Sequence, residues 1–443
     1  MSIVEHQTHI LKKIKKYLGK TNLSKVDTDK SSLCYFVGWD ISAGLSKIRT
    51  EINLCKFYIF LKIYLRDLIG IGYQNNYQLV NLKKNKFFNK MILTWSNKKN
   101  FEKDGSFYDS YFKINSKKMK NTIWVVIYMD FELPNKIDEN IIILKNISKP
   151  HFSFFYFFRT IFSILIQNSL NIKKIFHYSS LHSNFGDIVL KNIKSYLLNK
   201  NLNKIIMPYE AQPFQQMVIA FVKKKRKKIK VLGYIHDCEP LSPNLMYKKN
   251  SPNFILLPGK DRKKYFSEHL NWPTNSIKIV DSFRYYKNDF KNILKNQILL
   301  PSGIYDIDKI TNSFESFISS RKNKSLKHIK VRSHPASTNQ KLQKKLKEEM
   351  ERIIKKYKKK FSNSSKNKNS TIIIGITSLL VVALENGYKV TQICMDPKIQ
   401  SYSNLFSPNI KTEQINENVF SYSLKKFGGC LKFGKKNSIK NYL

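Results

Sequence analysis

Between Lys204 and Met395, short apolar runs alternate with stretches of helical spacing, and few folds accommodate that order. Lys204–Met207, Ile229–Ile235, Phe254–Leu257 and Ser276–Val280 read as strands, with helices at Phe185–Leu198, Phe214–Lys224 and Asp261–Leu270. A second series follows: strands at Ile298–Pro301, His328–Arg332, Thr371–Ile374 and Lys389–Met395, with a helix at Asp308–Ser319. Parallel strands need a crossover, usually a helix, so the expected class is α/β with parallel sheets. The polar stretch Lys287–Gln297 separates the two series. The expected organisation is an N-terminal α/β domain over 1–286, opened by a basic helix, and a C-terminal α/β domain over 287–443. That is two Rossmann-like domains facing a cleft.

The first 150 residues are less regular. Ile10, Ile14 and Leu18 mark an amphipathic N-terminal helix. Ser31–Asp40 reads as a strand and Leu45–Ile71 as a helix, while residues 75–120 carry little pattern. Asn121–Asp130 is a strand by its β-branched and aromatic run, and Ile141–Leu144 is another candidate. The tail from Ser401 is polar and ambiguous, and KKYKKKFSNSSKNKNS reads as a solvated helix end and loop.

Lys327–Gly387 holds one design twice: strand, turn, helix. The first turn carries His334-Pro335 and the second Thr377-Ser378 after Gly375. In parallel α/β sheets ligands bind at the carboxyl ends of strands, and a helix N-terminus suits a phosphate. These two strand ends are therefore expected to be neighbours converging on one anion. His334 would donate to a phosphate or protonate a leaving oxygen; otherwise His-Pro is a capped turn. Thr377 and Ser378 either cap the next helix or donate to the same phosphate. Glu385, seven residues after Ser378, would accept from a ribose diol or be a plain helix-end glutamate.

In the first domain Glu210 ends a strand within YEAQP, where a general base for an acceptor hydroxyl would sit. It would otherwise favour the following helix through the dipole. His236-Asp237 ends the next strand; Asp237 is the rival base or a turn former, and His236 and Gln212 lie on the acceptor side. Arg284 would reach the donor anion or make a surface salt bridge. There is no GxGxxG, no GxxxxGK[ST], no HExxH and no DxD after a strand, so no metal or cofactor is expected.

The formal net charge is +48, from 70 Lys, nine Arg and 31 acidic residues. Such a charge invites nucleic acid. Scarce Arg beside abundant Lys, Asn and Ile instead matches what an AT-rich genome writes on a surface. No specific nucleic-acid partner is expected; an anionic membrane leaflet is a possible one. Five scattered cysteines with no CxxC suggest reduced thiols and a cytoplasmic setting. No transmembrane helix is expected. His151–Gln167, aromatic and interrupted by Arg159, reads as a buried helix or an interfacial membrane helix.

YEAQPFQQ, VLGYIHD, LLPGKDRKKYF, IKIVDSFRYY, KVRSHP and GITSLLVVALENG together resemble bacterial surface-carbohydrate glycosyltransferases of the GT-B type. The His-Pro turn with a Ser/Thr pair before a glutamate-bearing helix is similar to enzymes using CMP-activated acidic sugars, such as sialyltransferases and Kdo transferases. The resemblance covers roughly residues 200–400. It implies a metal-independent transferase acting on a glycan or lipid-linked acceptor in capsule or lipopolysaccharide synthesis. His334 and Pro335 would fall at the nucleotide phosphate, joined by Thr377, Ser378 and Arg284. Glu385 would lie near the nucleotide, and Glu210 or Asp237 would be the base. The acidic pair plus glycine common in such sialyltransferases is absent; YEAQP stands in its place. Polyol-phosphate transferases of teichoic acid synthesis are also similar around the His-Pro turn, and would use CDP-glycerol. A basic nucleic-acid binder and a non-catalytic scaffold of the same fold are the remaining readings.

Overall fold

The computed structural model describes residues 2–20, 69, 73–74, 76–81, 87–147, 151–155, 157–158, 161–162, 181–287, 289–290, 294, 297–304, 306–320, 329–334, 340–357, 370–435 and 438–442. The strand expected at Ser31–Asp40, nearly all of the helix expected at Leu45–Ile71, and Pro335 lie outside them.

Two mixed sheets organise the chain, one of eight strands and one of six. The first contains Tyr77–Val80 (β1), Lys90–Ser96 (β2), Thr122–Tyr128 (β3), Ile141–Asn146 (β4), Lys204–Pro208 (β5), Lys230–Tyr234 (β6), Phe254–Leu257 (β7) and Ile277–Ile279 (β8). Their order is β8-β7-β6-β5-β2-β3-β4-β1, and all pairs are parallel except β1 with β4. From β2 the chain builds outward through β3 and β4, then returns and builds the other way through β5 to β8. The order therefore reverses between β2 and β5, and the crevice there is where an open α/β sheet binds ligands.

β2 falls in the stretch read as patternless, yet it is the middle of the sheet. Its sequence KMILTWS is buried from both faces, so it lacks the alternation that would announce it. Sheet residues divide by parity. Met91, Leu93, Val125, Ile205 and Val231 face helices Leu181–Leu197 (α2) and Pro213–Lys225 (α3). Ile92, Trp124, Val126, Ile206 and Leu232 face Phe107, Phe112 and Ile114 from the loop after β2. That aromatic stretch covers the second face with only a two-residue antiparallel pair, Tyr108–Asp109 with Ile114–Asn115, and short 3-10 turns, too brief to show a period in sequence.

The second sheet contains Gln297–Leu299 (β9), Lys330–Arg332 (β10), Ser370–Ile374 (β11), Lys389–Ile393 (β12), Ile410–Asn416 (β13) and Val419–Leu424 (β14). Its order is β10-β9-β11-β12-β14-β13. The first four are parallel; β13 and β14 form an antiparallel hairpin in the tail that had looked ambiguous. Here the order reverses between β9 and β11. Because β9 lies between β10 and β11, the His334 and Ser378 turns belong to next-but-one strands, which corrects the expectation of neighbours. Helices Ile307–Ser320 and Gln340–Tyr357 cover one face through Phe314, Phe317, Leu346 and Met350.

The chain crosses between the two bodies at both ends. The N-terminal helix Ile3–Lys20 (α1) buries Ile10, Leu11 and Ile14 with the first core, while Gln7 bonds the Ser401 carbonyl at 2.8 Å and the Ser403 hydroxyl at 2.7 Å. The C-terminal segment returns to the first sheet. Lys432 N–H donates to the Pro258 carbonyl (2.7 Å), Ser282 N–H donates to the Lys432 carbonyl (2.8 Å), and Ile439 joins the core under that sheet. Gly259 permits the crossing: a Cβ there would lie 2.2 Å from the Cys430 carbonyl oxygen.

Glu385 holds this segment in place. Its carboxylate accepts the backbone N–H groups of Gly428, Cys430 (2.9 Å) and Leu431 (3.1 Å). Burial raises its pKa, against the pull of those three amides. These bonds commit both carboxylate oxygens to the chain itself.

Candidate functional site

The loops after β5, β6 and β8 meet the loops after β10 and β11. Glu210 follows β5, at the reversal point of the first sheet. The Gln215 side chain builds its loop, accepting from Glu210 N–H (3.0 Å) and Gln212 N–H (3.1 Å) and donating to the Pro208 carbonyl. Pro213 opens α3, as proline does at a first helical position. Between them Ala211 holds φ at +57°, a left-handed conformation that costs a residue with a Cβ about 1 kcal/mol. Backbone strain of this kind gathers at functional sites.

The Glu210 carboxylate is set from two sides. His236 Nε2 lies 3.0 Å from Oε1, and Gln212 Nε2 donates to Oε2 at 2.7 Å. His236 is 4% exposed and packed edge-on by Tyr111, with ring centroids 4.6 Å apart, and by Trp95 at the end of β2. With Nε2–H committed to the carboxylate, Nδ1 of a neutral ring is the acceptor; it is buried with no partner among the described residues. Gln212, expected on the acceptor side, and His236 thus both act through Glu210.

Asp237 is differently placed. Its backbone carbonyl accepts from Arg262 Nη1 at 2.7 Å, and its Oδ1 is buried with no partner among the described residues. Burial raises its pKa, Glu210 adds to the rise, and His236 and Arg262 oppose it. Glu239 is pushed well above the ordinary range by burial and by Asp237 and Glu210. Three carboxylates therefore share this edge, and their mutual repulsion favours a proton among them. Arg262, fully buried, is sandwiched between Phe266 and Phe406 at 5.1 and 5.0 Å. It sits where a helix over Asp261–Leu270 was expected; the chain there makes one α turn and one π turn.

Across the junction, Ser378 Oγ accepts Cys238 N–H at 3.0 Å, and Tyr402 donates to the Cys238 carbonyl at 2.6 Å. The loop carrying His236 and Asp237 is thus bonded to the second body on both sides. Thr377 Oγ1 accepts Leu379 N–H at 3.3 Å and so caps the helix Leu379–Glu385. Arg284 lies over the rings of Tyr111 (5.4 Å) and Tyr285 (5.3 Å), and its guanidinium has no ion-pair partner among the described residues. His334 stands close enough to feel it: burial first, then Arg284, lowers the imidazole pKa. The His334 turn is held by Gln343, which accepts its N–H and donates to the Pro301 carbonyl after β9.

The expected residues thus divide. Glu210, Gln212, His236, Asp237, Arg284, His334, Thr377 and Ser378 gather along the junction. Glu385 serves the C-terminal segment. Sequence reasoning missed Trp95, Tyr111, Glu239 and Arg262. A cavity of about 920 Å³ opens at the opposite, amino-terminal edge of the first sheet, lined by Thr122, Ile142 and Ser195 among others, and contains none of these residues.

Asp109 lies beneath the site. It is fully buried and accepts Tyr111 N–H (2.7 Å) and Phe112 N–H (2.9 Å), which shapes the loop that presents Tyr111. Burial lifts its pKa to about 6, against the pull of those two amides. A carboxyl whose folded pKa is raised contributes stability that is present below its unfolded pKa and lost as pH rises through the folded one. Asp109→Asn keeps the acceptor oxygen and does not titrate. Its melting temperature, relative to the parent, should rise between about pH 4 and pH 7. Parallel melting curves across that range would contradict this.

No protein-family model matches the chain, and no curated protein matches it.

Proposed function

We propose that the protein is a GT-B-type glycosyltransferase of surface polysaccharide or glycolipid synthesis, using a nucleotide-activated sugar, with a CMP-activated acidic sugar as donor. One observation carries this reading: Arg284, a cation with no ion-pair partner among the described residues, lies near enough to His334 to lower its pKa, and the adjacent Tyr285 bonds the Ser378 hydroxyl. An unpaired guanidinium held over two aromatic rings is a site for an anion. The phosphate of a nucleotide donor supplies that anion.

The placement supports a division of roles among these groups. Glu210 accepts the proton of an acceptor hydroxyl, and His236 and Gln212 position its carboxylate. The acceptor oxygen bonds to the anomeric carbon as the bond from that carbon to the phosphate oxygen breaks. Charge building on the departing nucleotide falls to Arg284, with the His334 ring and the Ser378 hydroxyl as hydrogen-bond donors. Orientation at the junction supplies the rest of the acceleration. Glu210 is preferred to Asp237 as base because its carboxylate is oriented by two donors, whereas Asp237 Oδ1 is buried without one.

The test is a thermal-shift panel of CMP, CDP, UDP, GDP, their sugars and CDP-glycerol. CMP and CMP-sugars should raise the melting temperature, and His334→Ala and Arg284→Ala should each abolish the shift. A shift with CDP-glycerol alone would move the protein to polyol-phosphate transfer. No shift with any nucleotide, together with steeply salt-dependent binding to DNA or RNA, would favour the nucleic-acid reading.

A further inference from the structure

The first sheet carries an apolar rim at its carboxyl edge, beside the site but outside it. Met129 leaves β3 70% exposed, Phe131 follows at 65%, and Ile147 leaves the adjacent β4 at 50%. Ile147 N–H bonds the Asn76 carbonyl, and nearby Tyr73–Gln74 pairs with His151–Phe152. The chain then turns helical, and Phe154, Phe155, Phe158 and Phe162 stand 63–76% exposed. Residues 154, 158 and 162 repeat at helical spacing and share a face. Phe152 touches Phe154 and Phe157, so the aromatic surface is continuous. The reading of His151–Gln167 as a buried helix is thereby corrected for the described residues: it begins as a short strand, Phe154, Phe155, Phe158 and Phe162 face outward, and Phe152 and Phe157 are half-buried.

A helix that turns phenylalanines to solvent is stable when that face meets something apolar. The charge says what kind of surface this is. The chain carries a formal +48, so a negatively charged surface attracts it as a whole. Beside the rim, Asp130 accepts Lys98 N–H and Glu132 pairs with the Lys98 ammonium, while Lys99 is exposed with no ionic partner among the described residues. Among the described residues no helix is long and apolar enough to cross a membrane, so contact by this face would be from one side.

We propose that this rim docks the protein on an anionic lipid bilayer, with the phenylalanines in the headgroup–acyl boundary and the lysines against the headgroups. Because β3 and β4 end at the same edge as β2 and β5, docking there brings the Glu210 crevice to the membrane. A lipid-linked acceptor would present its glycan to that crevice. This last step rests on the proposed transferase reading; the docking does not.

The experiment is co-sedimentation with vesicles of phosphatidylcholine alone, or of phosphatidylcholine and phosphatidylglycerol in equal amounts. The protein should sediment with the anionic vesicles, less so at high salt, and much less with the neutral ones. The double variant Phe154→Ser/Phe158→Ser should lose about tenfold or more in vesicle affinity. Both side chains are exposed, so its melting temperature should match the parent, and so should its shift with nucleotide. Equal sedimentation with neutral and anionic vesicles would overturn the proposal, as would unchanged binding by the double variant. A parent dimer that the double variant converts to monomer would assign the rim to a second copy of the chain instead. Nucleotide shifts are read separately, so failure of the transferase reading and failure of docking are distinguishable.

Discussion

Glu210→Gln is expected to lower transfer by about 10²- to 10⁴-fold, the usual contribution of a positioned general base. The substitution is nearly isosteric. Its amide oxygen can still accept from His236, so the loop after β5 should hold its shape, and thermal shifts with nucleotide should match the parent. The loss should fall on kcat, since the interaction removed is made as the acceptor proton moves. In the parent, kcat/KM should fall below the pKa of the carboxylate, as protonation removes the base; in the variant that acid limb should be gone. His236→Ala should produce an intermediate loss, because it removes the group that positions the carboxylate and leaves the carboxylate itself. Turnover by Glu210→Gln within a few-fold of the parent would remove Glu210 from the mechanism and leave Asp237 as the base.

Glu385→Ala is expected to be the most damaging single change to stability. It strips three backbone N–H groups of their acceptor in a buried loop, at about 1–3 kcal/mol for each buried donor left unsatisfied. Water entering the vacated space would recover part of this. A net loss of about 3 kcal/mol should lower the melting temperature by roughly 3 °C or more. Glu385→Gln keeps one acceptor oxygen and should lie between the two. If Glu385→Ala melts within a degree of the parent, the carboxylate is not what holds residues 428–431.

The parts of the fold legible in sequence were those with punctuation. The strand Phe254–Leu257 is stopped by Pro258-Gly259, and Ser370–Ile374 ends at Gly375, whose φ of +67° suits a residue without a side chain. Lys90–Ser96 has no such punctuation, and its Lys- and Asn-rich flanks look like the rest of this chain. The hairpin Ile410–Asn416 and Val419–Leu424 was obscured because its outer strand is largely exposed and polar. Site residues were legible where they closed a strand, as Glu210, His236 and Arg284 do. Asp109 ends a two-residue strand and Tyr111 sits in the turn that follows it, and only burial in three dimensions connects them to His236. Glu385 was misjudged for a related reason. Helical spacing tells which way a side chain faces, but the amides it meets come from a distant stretch of chain.

The two ends of this polypeptide are traded across its middle. Gln7 is bonded within the later half, and Ile439 fills the interior of the earlier one. Either half prepared alone would therefore be missing a piece of its own lining. Any closing motion about a bound donor must also carry both traded ends along, so the travel between the halves is limited to what those two connections can stretch.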